Sequence, residues 1–274
     1  METASASAAK LAKPADRHRL GAVSFLNARP LIHGLDDSQD IELHLDVPSR
    51  LAAGLADARF DVALLPVIDY ARLPGLRIIP VGGIGCDGPT LTVRIFSRQP
   101  VSQISTLACD TDSHASVALA RIVLAERFGL YPRIVDLNRD APDPGAAQLL
   151  IGDKVVCEEP SGFPHQIDLG EQWKELTGLP FVFAVWMARP GVELRDLPRR
   201  LAAARAAGLR SVPQIIEQFA VPRGWPAELA RRYLTSHLHF EIGPGQLQAM
   251  RIFIDKATRH GIISSAEELR IESI

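Results

Sequence analysis

Aromatic side chains are scarce in this chain: Phe, Trp and Tyr together make up 6% of its 274 residues. A platform that stacks successive nucleic-acid bases needs more of them. Surplus positive charge is missing too. The formal net charge is −2, whereas a groove for a polyanion is built from a basic excess, so no nucleic-acid partner is expected. Cysteine is rare: Cys86, Cys109 and Cys157 make an odd number with no C-x-x-C pair. That speaks against a disulfide framework or a zinc knuckle and for reduced thiols in a cytoplasmic protein. No apolar run approaches the ~20 residues that cross a bilayer, so no membrane partner is expected either. No H-E-x-x-H, phosphate-loop or G-x-G-x-x-G motif occurs. The opening METASASAAKLAKPADRH lacks the apolar centre of a secretory signal. Residues 1–19 are read as a disordered tail.

What is present suits a folded soluble protein: 47% hydrophobic and 23% charged residues. From Leu20 onward the pattern alternates strand, turn and helix. Leu20–Phe25 reads as a strand, Pro30–Gly34 as a helical turn, and Ile41–Val47 as a second strand. Pro48 and Ser49 open the helical SRLAAGLADARF, and Asp61–Leu65 is a buried strand stopped by Pro66. Thr90–Ser97 alternates cleanly. Thr106–Asp110, Arg133–Leu137, Ala147–Ile151 and Phe181–Met187 read as further strands, and Asp140–Gly145 as a loop. Ser113–Phe128 is the clearest helix, stopped by Gly129. The last third turns helical, through LPRRLAAARAAGL, VPQIIEQFA, AELARRYLTSHL and GQLQAMRIFIDKATRHGII.

Strands alternating with helices give an α/β fold. The expected arrangement is two-lobed with a central cleft. One lobe comprises residues 20–97 and 186–274, and an inserted lobe comprises residues 98–185.

In open α/β sheets a ligand sits at the carboxyl ends of the strands. Asn27 ends the first strand and Pro66 the third. Asp87, Gly88, Pro89 and Thr90 form a turn before the next strand. Thr111, Asp112, Ser113 and Ser116 open the long helix, and Gly152 and Asp153 follow another strand. Asn27 can point into the cleft, where its amide donates and accepts, or cap the next turn. Ser113 and Ser116, beside free helix N–H groups, suit a carboxylate, although Ser113 equally serves as a plain N-cap. Asp153 is either a cleft group or a turn cap. Arg29 is read as a solvated side chain. His114 reads as a packing or surface residue, and His237 and His239 lack a third ligand for a metal. These positions hold few acids, bases or nucleophiles. Such a site binds and orients an anionic organic molecule.

Several segments, taken in order, resemble the chorismate dehydratase family of the futalosine route to menaquinone. They are VSFLNARPL, FDVALLPVIDY, CDGPTLTVRIFS, DTDSHASVALARIVL, LLIGDKVV, DLGEQWKELTGLPFVFAVWMAR and YLTSHLHFEIG, together covering about Leu20 to Ile263. The resemblance implies a fold like that of type 2 periplasmic binding proteins, used as a cytoplasmic enzyme. The implied reaction removes water from the small-molecule substrate chorismate, giving 3-[(1-carboxyvinyl)oxy]benzoate, with no metal or organic cofactor. The family's catalytic asparagine falls on Asn27. Its D-G-P-x-x-Ser element falls on Asp87, Gly88, Pro89 and Thr92, and its S-x-T-S element on Ser113–Ser116. Two positions depart from the pattern: Thr92 replaces serine and Ala115 replaces threonine.

On that basis Asn27 and Thr92 are the expected catalytic residues. Pro66, Gly88, Pro89, Thr90, Thr111, Ser113, Ser116 and Asp153 are the expected substrate contacts. Three alternatives share parts of the pattern. A non-enzymatic small-anion binding protein of the same fold would carry an export signal or lipid anchor. A 1,4-dihydroxy-6-naphthoate synthase would differ at SFLNARPL and show a clear acid–base residue. A regulatory effector domain would follow a helix-turn-helix.

Overall fold

The computed structural model describes residues 17–110, 113–137, 147–157, 161–265 and 267–274. Among these residues the strands are β1 (His18–Val23), β2 (Ile41–Asp46), β3 (Val62–Pro66), β4 (Arg77–Cys86), β5 (Val93–Ser97), β6 (Thr106–Cys109), β7 (Arg133–Asp136), β8 (Ala147–Ile151), β9 (His165–Asp168) and β10 (Phe181–Ala188). The helices that position the site are α1 (Arg29–Ile32), α2 (Pro48–Ala56), α3 (His114–Phe128), α4 (Asp153–Cys157), α5 (Leu169–Thr177) and α6 (Leu197–Arg210). Further helices at Ala227–Arg232 and Pro244–Arg259 complete the C-terminal third.

The strands form two five-stranded sheets, ordered β2-β1-β3-β10-β4 and β7-β6-β8-β5-β9. Each sheet begins with three parallel strands and then receives an antiparallel one, β10 in the first and β5 in the second. The chain therefore changes sheet twice, through Asp87–Thr92 after β4 and through Gly178–Pro180 after α5. Both changes differ from the boundaries expected at 97/98 and 185/186. Val93–Ser97 lies wholly in the second sheet because it pairs with β8 and β9. All of Phe181–Ala188 lies in the first, between β3 and β4.

β1 begins at His18, inside the stretch read as a tail, and it is a central strand. Arg19 can enter it because Asp61 neutralises its guanidinium, accepting from Nη2 at 2.9 Å and from Nε at 3.3 Å. Residues 1–16 of that stretch, and the loop expected at Asp140–Gly145, lie outside the described residues.

β4 has no counterpart in the sequence reading, since Pro80, Gly82, Gly83 and Gly85 punctuate it as breakers would. The glycines allow close backbone approach in an irregular ladder. A Cβ on Gly83 would stand 2.6 Å from the Ala184 carbonyl oxygen, and one on Gly85 2.7 Å from that of Phe181. The β4–β10 register shifts twice there, as bulges do.

α3 follows the predicted helix closely. It ends at Gly129, whose left-handed backbone (φ 66°) returns its N–H to Ala125 and Leu124. One large apolar cluster joins both sheets with the C-terminal helices, and a small satellite of Phe96, Leu150, Val155 and Phe163 lies beside it.

Candidate active site

β1 stops at Val23, earlier than the apolar run VSFL suggests. Ser24 and Phe25 leave the sheet, and Leu26–Ala28 form a 3₁₀ turn that passes directly into α1. Asn27 thus sits in a turn beyond the strand rather than at its last residue. Three contacts hold that turn. Ala28 N–H donates to the Phe25 carbonyl at 3.1 Å. Arg29 Nη2 donates to the Ser24 carbonyl at 3.1 Å, and its guanidinium lies 4.0 Å over the Phe219 ring. Gly208 of α6 packs on Pro30 so closely that a Cβ would fall 2.2 Å from the Pro30 carbonyl oxygen. Arg29 is therefore an internal clamp and not a solvated side chain. Burial, with Arg223 nearby, pulls its pKa below the usual arginine value.

The turn faces a cavity of about 460 Å³ between the two sheets, a size that suits a small organic ligand. From the first sheet come Asn27, Pro66, Ile84 and Phe183. From the second come Asp110, Ser113, Ser116, Gly152, Asp153 and Lys154. Tyr233 and Leu238 arrive from the C-terminal third. The walls are mainly apolar, with few polar groups. Among these, Asn27 Oδ1 is inaccessible to solvent and has no hydrogen-bond partner among the described residues. A buried carbonyl oxygen of this kind costs stability unless a donor reaches it.

The start of α3 supplies the second polar feature. Ser113 stands at the N-cap position but makes no capping bond. Its Oγ bonds Ser116 Oγ at 2.7 Å instead, inside the cavity. Ser113 thus leaves the first-turn N–H groups of α3 without its own cap, an arrangement that suits an anion. His114 steadies this end of the helix, its Nδ1 lying 2.9 Å from the buried Asp69 carboxylate on the first-sheet side. Lys154, 2.6 Å from Asp110, brings one cation and one carboxylate to the wall as a pair.

Of the residues expected from sequence, Asn27, Pro66, Ser113, Ser116 and Asp153 meet in this cavity. Asp153 is already engaged there: its Oδ1 accepts from Trp225 Nε1 at 2.7 Å. Thr92 lies just behind the wall, its hydroxyl donating to the Tyr233 hydroxyl at 3.0 Å. Gly88, Pro89 and Thr90 do not reach the cavity. They belong to the segment that changes sheet, where Asp168 accepts from the Thr90 and Leu91 N–H groups and His237 Nδ1 lies 3.2 Å from the Pro89 carbonyl. Thr111 lies outside the described residues.

Tyr233, Lys154 and Asp110 were not singled out from sequence. The first two stand in YLTSHLHFEIG and LLIGDKVV, so the segments were noted and the residues within them were not. No three His, Cys, Asp or Glu side chains gather as a metal-ligand set among the described residues. No helix there is long and apolar enough to cross a membrane.

The chain is similar to several known proteins. A family model described as menaquinone biosynthesis matches residues 18–259. Chorismate dehydratase from Thermus thermophilus is 28% identical over 235 residues, which cover 78% of this chain and 86% of that protein. Chorismate dehydratase from Campylobacter jejuni is 26% identical over 234 residues, covering 84% of this chain and 89% of that protein. Among solved structures, the CA3427 gene product of Candida albicans, described as having the generic periplasmic binding protein fold, superposes with a TM-score of 0.65. It is 12% identical and covers 93% of this chain and 96% of its own. The architecture here is therefore α/β of the periplasmic-binding-protein type.

Proposed function

The chain belongs to the menaquinone biosynthesis family, and we propose that it is a chorismate dehydratase, converting chorismate to 3-[(1-carboxyvinyl)oxy]benzoate and water. The observation that carries the reading is Asn27, with a buried Oδ1 that has no partner among the described residues, on the wall of a cavity that also carries a helix start suited to a carboxylate. Chorismate offers both groups required, a ring hydroxyl for the amide and carboxylates for the helix.

The reaction removes the ring proton at the ether-bearing carbon and the hydroxyl on the neighbouring carbon. The C–H electrons become the new ring double bond, the C–O bond breaks, and the hydroxyl leaves with a proton as water. Aromatisation drives the step, so the site needs position and polarity more than a strong base. Asn27 accepts from the substrate hydroxyl in the ground state and donates to the oxygen as negative charge grows there. Asp110 and Asp153 are engaged by Lys154 and Trp225. Among the described residues that leaves no free carboxylate in the cavity wall, and in this reading the base is the substrate's own side-chain carboxylate. The two sheets are taken as lobes that exclude water on closing, exchanging chain through Asp87–Thr92 and Gly178–Pro180. We place the reaction in the futalosine route and in the cytoplasm. The three free cysteines are compatible with that compartment.

Incubation with chorismate should show loss of its diene absorbance and appearance of an aromatic acid. Tight binding without product would return the chain to a small-anion binding protein. Within this reading, Ser113, Ser116 and the start of α3 hold a substrate carboxylate. Ser116→Ala should raise KM about tenfold or more, since a hydrogen bond to a charged group contributes roughly 1.5–3 kcal/mol. An unchanged KM would leave Ser116 as an ordinary first-turn residue.

A further inference from the structure

Tyr233 has no role in the proposed reaction, although it lines the same cavity as Asn27. Its side chain is 2% exposed and lines the cavity. Its hydroxyl accepts from Thr92 Oγ1 at 3.0 Å, and Asn27 lines the same cavity. Its ring stacks on Trp225, with centroids 5.1 Å apart at 28°. Trp225 Nε1 in turn reaches Asp153 at the start of α4. A line of side chains therefore runs from Asp153 through Trp225 and Tyr233 to Thr92, along the cavity that Asn27 also lines.

The backbone supports the same point. Tyr233 opens a π-helical turn, Tyr233–His237, closed by a bond from Leu238 N–H to the Tyr233 carbonyl at 3.0 Å. Such turns are inserted where a side chain must be re-aimed, and they are common at functional sites. A phenylalanine would fill this space and stack on Trp225 equally well, and a buried hydroxyl costs stability unless its bonds are used. Burial pushes the Tyr233 phenol up to about 12, with the Thr92 bond opposing. The hydroxyl therefore stays protonated at neutral pH.

We propose that Tyr233 is a positioning residue for the dehydration: its hydroxyl holds the Thr92 hydroxyl and the Asn27 amide in register, and its ring carries the Trp225–Asp153 contact to that pair. This rests on reading the cavity as a dehydratase site. On this proposal Thr92 acts without touching the substrate, through Tyr233 on Asn27.

The test uses the full chain with Tyr233→Phe, Thr92→Val and the double variant. Each single variant should lower kcat for chorismate about tenfold with KM changed less than about threefold. The double variant should be no worse than the poorer single, because either change breaks the same unit. A second readout needs no turnover. The side-chain amide signal of Asn27, identified by its loss in Asn27→Ala, should exchange with water at least tenfold faster in ligand-free Tyr233→Phe than in wild type. Wild-type kcat and unchanged exchange in Tyr233→Phe would overturn the positioning role and leave the dehydratase reading standing. A lowered melting temperature with general loss of amide protection, but unchanged kcat per folded molecule, would also overturn it. Failure of wild type to turn over chorismate would sink the dehydratase reading and with it any role of Tyr233 in dehydration, whatever the Asn27 exchange rate.

Discussion

Asn27→Ala is expected to lower kcat for chorismate roughly 10²–10³-fold, the loss typical of removing one preorganised donor to a developing anion, while KM rises far less. The split follows from the geometry. On the proposed reading the ground state gains at most one hydrogen bond at Asn27 Oδ1, which is buried and unpartnered among the described residues. The donating side of the amide gains most as the C–O bond stretches and charge collects on oxygen. An interaction made mainly in the transition state appears in kcat. The turn must hold the amide still for this to work. Arg29 fastened to the Ser24 carbonyl, and Gly208 seated against Pro30, give it that rigidity. Asn27→Asp should be comparably damaging, because a carboxylate cannot donate and repels a dianionic substrate. Steady-state kinetics decide the matter. Wild-type turnover in the alanine variant, with its fold intact by circular dichroism, would return Asn27 to the plain role of a turn residue.

Much of this arrangement was legible before any coordinates. Periodicity and breakers located β2, β3, α2, α3 and the C-terminal helices to within a few residues, because each is a local pattern bounded by local chemistry. The assignment of strands to sheets was not legible. TLTVRIFS alternates as any half-buried strand does, and its partners β8 and β9 lie more than fifty residues downstream of it. β10 crosses back by pairing antiparallel with β3 and β4, and antiparallel neighbours in a mostly parallel frame leave no mark in the strand itself. Asn27 was displaced from strand end to turn for a simpler reason. Phe25 is apolar and extends the run, but it is 37% exposed and lines the cavity mouth instead of the sheet. For Ser113, sequence leaves cap and ligand group both open; in the structure it makes no capping bond and bonds Ser116 Oγ instead. Tyr233 sat in an amphipathic helical pattern where a tyrosine reads as core. Its bond to Thr92 spans 141 positions of chain and exists only in the folded state.

The change of sheet after β4 predicts the largest effect on stability. Asp168 is 6% exposed, yet its carboxylate is fully used. It accepts from Thr90 N–H at 2.9 Å and Leu91 N–H at 2.9 Å in the crossing segment. It also accepts from Gly170 N–H at 3.0 Å and Glu171 N–H at 3.2 Å at the start of α5. The same residue thus caps a helix and pins the segment on which Thr92 rides. Leu91 shows why the pin is needed: its φ of 70° is a left-handed conformation that an L side chain rarely adopts, and such strain persists only where the surroundings over-determine it. Gly170 completes the joint, since a Cβ there would stand 2.3 Å from Thr90 Cγ2 and 2.5 Å from the Gly88 carbonyl oxygen. Asp168→Ala leaves four backbone donors without their acceptor. It should destabilise the fold by about 3–5 kcal/mol, the range for removing one side of a buried charged network. At roughly 2–4 °C per kcal/mol for a chain of this size, thermal unfolding should move down by about 10 °C. Activity measured well below that midpoint should fall as well, because Thr92 loses the fixed backbone that sets its hydroxyl against Tyr233. Asp168→Asn keeps the shape but offers one carbonyl oxygen and an NH₂ that faces other donors, so it should recover only part of the loss. A melting temperature within about 2 °C of wild type for Asp168→Ala would mean that the crossing holds its shape by packing alone.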